Sequence, residues 1–515
     1  MKIQRTKNAT RNIFFGILYK AITILFPFIT RTAMIYIMGT EYVGLNSLFT
    51  SILSFLSLTE LGVGSALVYS MYKPIAEDDT DAICALLNLY RKLYRYIGLI
   101  MLVIGLCLLP FLDKLVSSDC PSDINLYILF LIYLLNSVLS YWMYGYKQAL
   151  LTAHQRNDVV SKRSMLIQTC MYIVQIVMLF AFKNYYLYII WLPIFTVFTN
   201  LANAMIVNRM YPQYKCRGQV PKEVETSIRK KVLALFGTKA NSIVLHAADN
   251  IVISAFLGLI MVGKYGNYYY IMNAIIGIMT VVYESLTAGL GNSIETESID
   301  KNYRDFKVLT FLNMWLVTFC SVCLLCLYQP FMRIWVGESN MFSMSVVILL
   351  VIYFYIYQVR RIILTYKDAA GLWWEDRFRP YVVMIVNIVG NLIMVQFIGI
   401  YGVILSTIIS MLVSWPWENY TIFKFLFRRS AAEYYGNFFI YLIVGCAAAG
   451  ITYLCCLWVP SGLGWFLVDL IICMIVPNAF LALAFCKRAE MRDSMMLIKT
   501  RYLNVIFRRI HAGQM

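Results

Sequence analysis

The sequence predicts an all-α polytopic membrane protein, on three observations. The 515-residue chain is 61% hydrophobic and only 14% charged, whereas a soluble domain is typically ~45–50% apolar and ~25% charged. Uncharged apolar runs recur along the whole length, each near the roughly 20 residues a helix needs to cross ~30 Å of hydrocarbon. The basic residues then fall alternately between those runs, as loops on one face of a membrane require.

The basic N-terminal segment MKIQRTKNATR leads directly into the first apolar run with no small-residue cleavage site, so it reads as a retained first helix. Fourteen helices follow, near 12–38, 43–72, 84–111, 124–151, 163–182, 185–208, 231–258, 264–291, 307–333, 341–366, 379–398, 401–425, 435–458 and 462–486. Tyr381–Trp417 and Tyr434–Val468, 37 and 35 residues long, each hold two of them. A single helix of that length would reach about 55 Å. Gly399-Ile400-Tyr401-Gly402 divides the first and Pro460-Ser461-Gly462 the second.

Charge tests this count. With the N-terminus in the cytoplasm, 37 of the 44 basic residues fall on the cytoplasmic side and 4 on the outer side (Lys114, Lys183, Lys264, Arg333). Lys20, Arg31 and Lys239 stay inside the membrane. Both termini are therefore expected inside. The net charge of +17 reflects these loops and calls for no nucleic-acid partner.

An internal repeat divides the chain. Lys20, Gly39 and Gly44 recur as Lys239, Gly258 and Gly263, each 219 residues on, and Glu60 has a looser echo in Glu284. Helices 1–6 (1–208) and 7–12 (231–427) read as two parallel six-helix lobes joined by a linker, 209–230. Helices 13 and 14 (428–486) and a basic tail (487–515) are additions.

The charges inside the spans concentrate on the first hairpin of each half. A lone cation at mid-bilayer costs ~2.5–3.5 kcal/mol, so such residues usually face a bundle interior or a watery cavity. Lys20 and Arg31 are about three turns apart on one helix face. Together with Lys239 they form candidate cavity cations for an anionic substrate, arginine as a planar fork and lysine as a point charge. Glu60, His246, Asp249 and Glu284 are candidates for coupling or for ion pairs, with Lys20–Glu60 and Lys239–Glu284 as the pairs expected. Arg91, Arg95, Arg360 and Arg361 stand near the cytoplasmic entrance and are expected to snorkel to headgroups. Glu418 and Asp469 are isolated late in the chain and carry no assigned role. Most of the thirteen cysteines sit in apolar runs (Cys107, Cys320, Cys323, Cys326, Cys455, Cys456), where they behave as small hydrophobes. Their spacing suggests neither metal site nor disulfide framework. No phosphate-binding glycine loop or hydrolase elbow is present in the sequence, so neither an enzyme nor a cofactor is expected.

RTKNATRNIFFGILYK, YVGLNSLFTSILSFLSLTELGVGSAL and LTYKDAAGLWWEDRFRP resemble bacterial polysaccharide-biosynthesis flippases of the multidrug/oligosaccharidyl-lipid/polysaccharide exporter superfamily. The resemblance implies a V-shaped, MATE-like pair of lobes in the bacterial inner membrane. It implies alternating-access transfer of undecaprenyl-diphosphate-linked oligosaccharide, with Lys20, Arg31 and Lys239 on the headgroup. A polymerase and glycosyltransferases of the same pathway are the implied partners. Proton or sodium coupling varies within the superfamily. A flippase for the peptidoglycan lipid precursor and a cation-coupled drug exporter are the alternatives.

Overall fold

The computed structural model describes residues 5–60, 62–116, 120–460 and 462–498, with side chains from residue 16 to 496 except 17, 231, 233–235, 238, 246 and 288. All regular structure among the described residues is helical. Among the described residues thirteen helices are long and apolar enough to cross a membrane, fourteen if Leu126–Trp142 and Gly145–Ala153, bent by 47°, count as one span. The chain is a multi-pass membrane protein, and each expected span has its helix.

The departures have local causes. The second span is broken: Thr40–Leu56 passes through a 3-10 turn, Ser57–Glu60, and restarts at Val63–Ala76 after Gly62 at φ 83°. The tenth span splits into Met344–Val359 and Arg361–Ala369. Several helices run beyond the apolar stretch into polar sequence, as Lys222–Leu257 does. Side chains cap several starts. Asp79 accepts from the Ala82 N–H (2.9 Å), and Asn125 accepts from Tyr127 (3.0 Å) and Ile128 (3.2 Å). Such acceptors satisfy the orphan donors of a first turn.

The chain divides into two compact units, one reaching to Gly266 and including Asn391–Val403, the other holding Asn267–Gly390 and Ile404 onward. In the first unit, Val63, Leu67 and Met71 pack with Leu86, Tyr90, Leu150 and Val207 in one core. Here the repeat acquires a physical meaning. Gly39 (φ 118°) and Gly258 (φ 88°) each end the first helix of a repeat in a conformation that L side chains rarely adopt. The helices after them meet at equivalent points. A Cβ on Gly44 would strike the Leu259 carbonyl, and one on Gly263 would stand 2.5 Å from the Thr40 carbonyl. Thr40 and Leu259 are themselves 219 residues apart, so the two contacts are mates under the repeat.

The second unit is knit by aromatic rings. Phe306 lies 4.9 Å from Phe427 and 5.2 Å from Tyr366, centroid to centroid. Phe423–Phe427 forms a π-turn, and both of its terminal rings are buried.

Candidate functional site

In the first unit the broken second span opens a polar cavity of about 540 Å³. Glu60 stands at the end of the 3-10 turn, where the helix break releases backbone groups and lets a charged side chain turn inward. The Tyr94 hydroxyl donates to Glu60 Oε1 (3.2 Å), and Tyr90 donates to Tyr94 (3.0 Å). The Tyr94 ring meets Tyr90 and Tyr141 edge-on at 4.5 and 5.2 Å. Ser65, Tyr69, Tyr72, Gln148 and Thr152 complete the hydrogen-bonding wall. Lys239, from the seventh span, reaches this place. Its Nζ donates to Ser65 Oγ (3.0 Å), and its charge acts on Glu60.

That geometry corrects the expected pairing. Glu60 is served by Tyr94 and Lys239. Lys20 is exposed and forms no ion pair with a described residue. Glu284 is also exposed, in the second unit, and forms no ion pair among the described residues. Arg31 is half-buried and directs Nη2 to the Gly263 carbonyl at 3.4 Å. Asp249 is buried: Asn391 Nδ2 donates to its Oδ1 (2.8 Å) and the Tyr265 hydroxyl to its Oδ2 (3.1 Å). Both donors hold the Asp249 carboxylate in place. The His246 side chain lies outside the described residues.

The entrance arginines divide. Arg95 is exposed, while half-buried Arg91 donates to Asn88 Oδ1 (2.9 Å). Arg361 is half-buried with its guanidinium 5.5 Å from the Tyr283 ring centroid. Arg360 does not snorkel. It is buried and grips Glu418 through both Nε (2.9 Å) and Nη2, and Nη2 also reaches Ser414 Oγ (3.0 Å). Arg379 Nη1 also donates to Glu418 Oε1 (3.0 Å) and to Ser414 Oγ (2.9 Å). Arg379 is also bidentate on Asp376 (2.7 Å twice), which Lys367 approaches at 2.8 Å. Glu418, isolated in the sequence, is thus the centre of a buried charge network. Lys367, Asp376 and Arg379 all lie in the quoted stretch LTYKDAAGLWWEDRFRP, and its dense alternation of charge was the available signal. The tyrosines and Ser65 gave none.

Outside the spans, His154 is buried with its ring 4.4 Å from Tyr211, and burial lowers its pKa.

No family model and no curated protein matches the chain. Solved structures do. A lipid II flippase, MurJ, in an inward closed conformation aligns at TM-score 0.70 and 14% identity, over 92% of this chain and 99% of its own. An inward-facing multidrug resistance transporter of the MATE family, MOP superfamily, aligns at 0.59 and 12% identity, over 77% and 94%. A Vibrio cholerae MATE transporter aligns at 0.54 and 14% identity, over 82% and 99%. The chain has the MurJ/MATE-like fold. At these identities the likeness concerns architecture.

Proposed function

We propose that this chain is a flippase of the bacterial inner membrane, without covalent chemistry, moving undecaprenyl-diphosphate-linked oligosaccharide from the cytoplasmic to the outer leaflet. One observation carries the reading. The lipid II flippase aligns with 92% of this chain, and the two multidrug transporters with 77% and 82%. The architecture is therefore nearer to that of a protein named for a lipid-linked substrate. The cavity chemistry agrees. Tyrosines, Gln148, Thr152 and Glu60 suit a polyhydroxylated glycan, and Lys239 beside them suits an anionic headgroup. A carrier of organic cations would want acids to dominate this space.

In this reading residues 1–208 and 231–427 are the two six-helix lobes, and the helices of 428–486 are additions. Both termini are cytoplasmic. Lys20, Arg31 and Lys239 take the diphosphate at successive stages of alternating access, and Asp249 is the leading position for ion or proton coupling. The second reading is a flippase for the peptidoglycan lipid precursor, favoured by the name of the MurJ neighbour.

Reconstituted proteoliposomes test this. The expected result is flipping of a short undecaprenyl-diphosphate oligosaccharide that Lys239→Ala slows strongly. Flipping of the peptidoglycan precursor alone supports the second reading. Export of an organic cation without lipid flipping refutes both.

A further inference from the structure

Three helices of the second unit, Ile299–Val336, Ala432–Leu457 and Leu463–Phe485, bring cysteines together, Cys456 at the end of its helix and Cys326 and Cys473 within theirs. The sulfurs of Cys326, Cys456 and Cys473 all lie within 4.8 Å of one another. Cys456 Sγ and Cys473 Sγ are 3.9 Å apart, and all three are free thiols. Thiolates held ~2.3 Å from a tetrahedral zinc stand about 3.8 Å apart, so this pair already has the spacing of a ligand edge. Cys326 and Cys473 are buried and Cys456 is half-buried, which leaves one approach.

A second observation points to a ligand. Asp469 lies one helical turn before Cys473 on the same face and beside Cys456. It is only 6% exposed; its carboxylate shares a hydrogen bond with Cys456, and its Oδ1 has no partner. A buried acceptor without a donor is costly, and a cation would satisfy it. Asp469, Cys326 and Cys456 line one cavity of about 540 Å³. That cavity extends to Val459, Pro460 and Gly462 at the helix ends, which gives an ion a path in.

We infer that Cys326, Cys456, Cys473 and Asp469 form a binding site for a soft d10 cation of the zinc class. Three sulfurs and one carboxylate match the donors such an ion prefers over magnesium or calcium. Each coordinating thiol gives up its S–H proton to solvent through the cavity. The bound ion ties the three helices together, and the site requires nothing of the transported substrate.

The test uses the full-length protein, purified reduced in detergent and titrated with Cd2+ as a spectroscopic probe and Zn2+ as competitor. One thiolate-to-Cd2+ charge-transfer band per chain, displaced by Zn2+, is expected. Cys456→Ser and Cys473→Ser remove it, and Asp469→Asn weakens binding by at least the ~10–100-fold typical of losing even an outer-shell partner. Thermal unfolding without metal checks that each variant is folded. Should a serine variant fail to fold, maleimide labelling of the wild type decides: Zn2+ protects Cys456 and leaves exposed Cys455 reactive. No charge-transfer band, a band indifferent to these substitutions, unprotected Cys456, or a Cys456–Cys473 disulfide in the isolated protein would each overturn the inference.

Discussion

Glu418→Gln should be among the most damaging single changes outside the cavity. The carboxylate is fully buried between Arg360 and Arg379, themselves 6% and 5% exposed. The glutamine keeps shape and one acceptor but removes the charge that both guanidinia face. Breaking a buried pair by removing one partner costs about 3–5 kcal/mol, because the other charge is left uncompensated. Arg379 keeps its bidentate contact to Asp376, so most of the loss falls on Arg360, whose described acceptors are Glu418 and Ser414. The expected loss is therefore about 3–5 kcal/mol, a factor of roughly 10² to 10⁴ in the folded-to-unfolded ratio. Denaturant titration of the purified protein in mixed micelles measures it. The double variant Arg360→Met/Glu418→Gln removes the orphaned cation and should recover more than half of the deficit. A Glu418→Gln protein as stable as wild type would refute the reasoning, as would a double variant whose losses simply add.

Gly44→Ala and Gly263→Ala should each destabilise the protein by about 1–3 kcal/mol, because the new Cβ meets backbone and the helices must part. The double variant should cost less than the sum, since both contacts are relieved by one separation; strict additivity in thermal unfolding would contradict the mated contact. Lys20→Ala, Arg31→Ala and Lys239→Ala should each reduce export by roughly tenfold or more while the protein still inserts; normal surface polysaccharide in all three would sink the cavity proposal. His154 is held neutral by burial, so its folded pKa lies below its unfolded value and the unfolded chain binds the proton first. Stability should fall as pH drops from about 6.5 toward the lowered value and level off beneath it. His154→Gln should flatten that slope in a pH series of unfolding curves.

Much was legible from one-dimensional pattern. Membrane burial demands length and apolarity of every span, so thirteen could be counted outright and a fourteenth as a bent pair, while the breaks inside the second, fourth and tenth were not foreseen. In the second, Glu60 and Gly62 interrupt a helix that composition alone would carry through. The offset of 219 residues was legible too, because glycines at a tight helix approach cannot be exchanged for larger residues without moving backbone.

Partnership was not legible. Lys239 stands beside Glu60, 179 positions earlier in the chain, a partnership the expected pairing with Glu284 did not anticipate. Arg360 turns inward to Glu418, although its distance from a helix end suited snorkelling. Cys326, Cys456 and Cys473 have no motif spacing, because each comes from a different helix. The sequence by itself determined how many helices cross the membrane and where they repeat, since those follow from the solvent each segment must tolerate. Only the tertiary structure decided which buried charges and thiols meet, because that depends on the rotation and depth of packed helices, and no linear pattern encodes those.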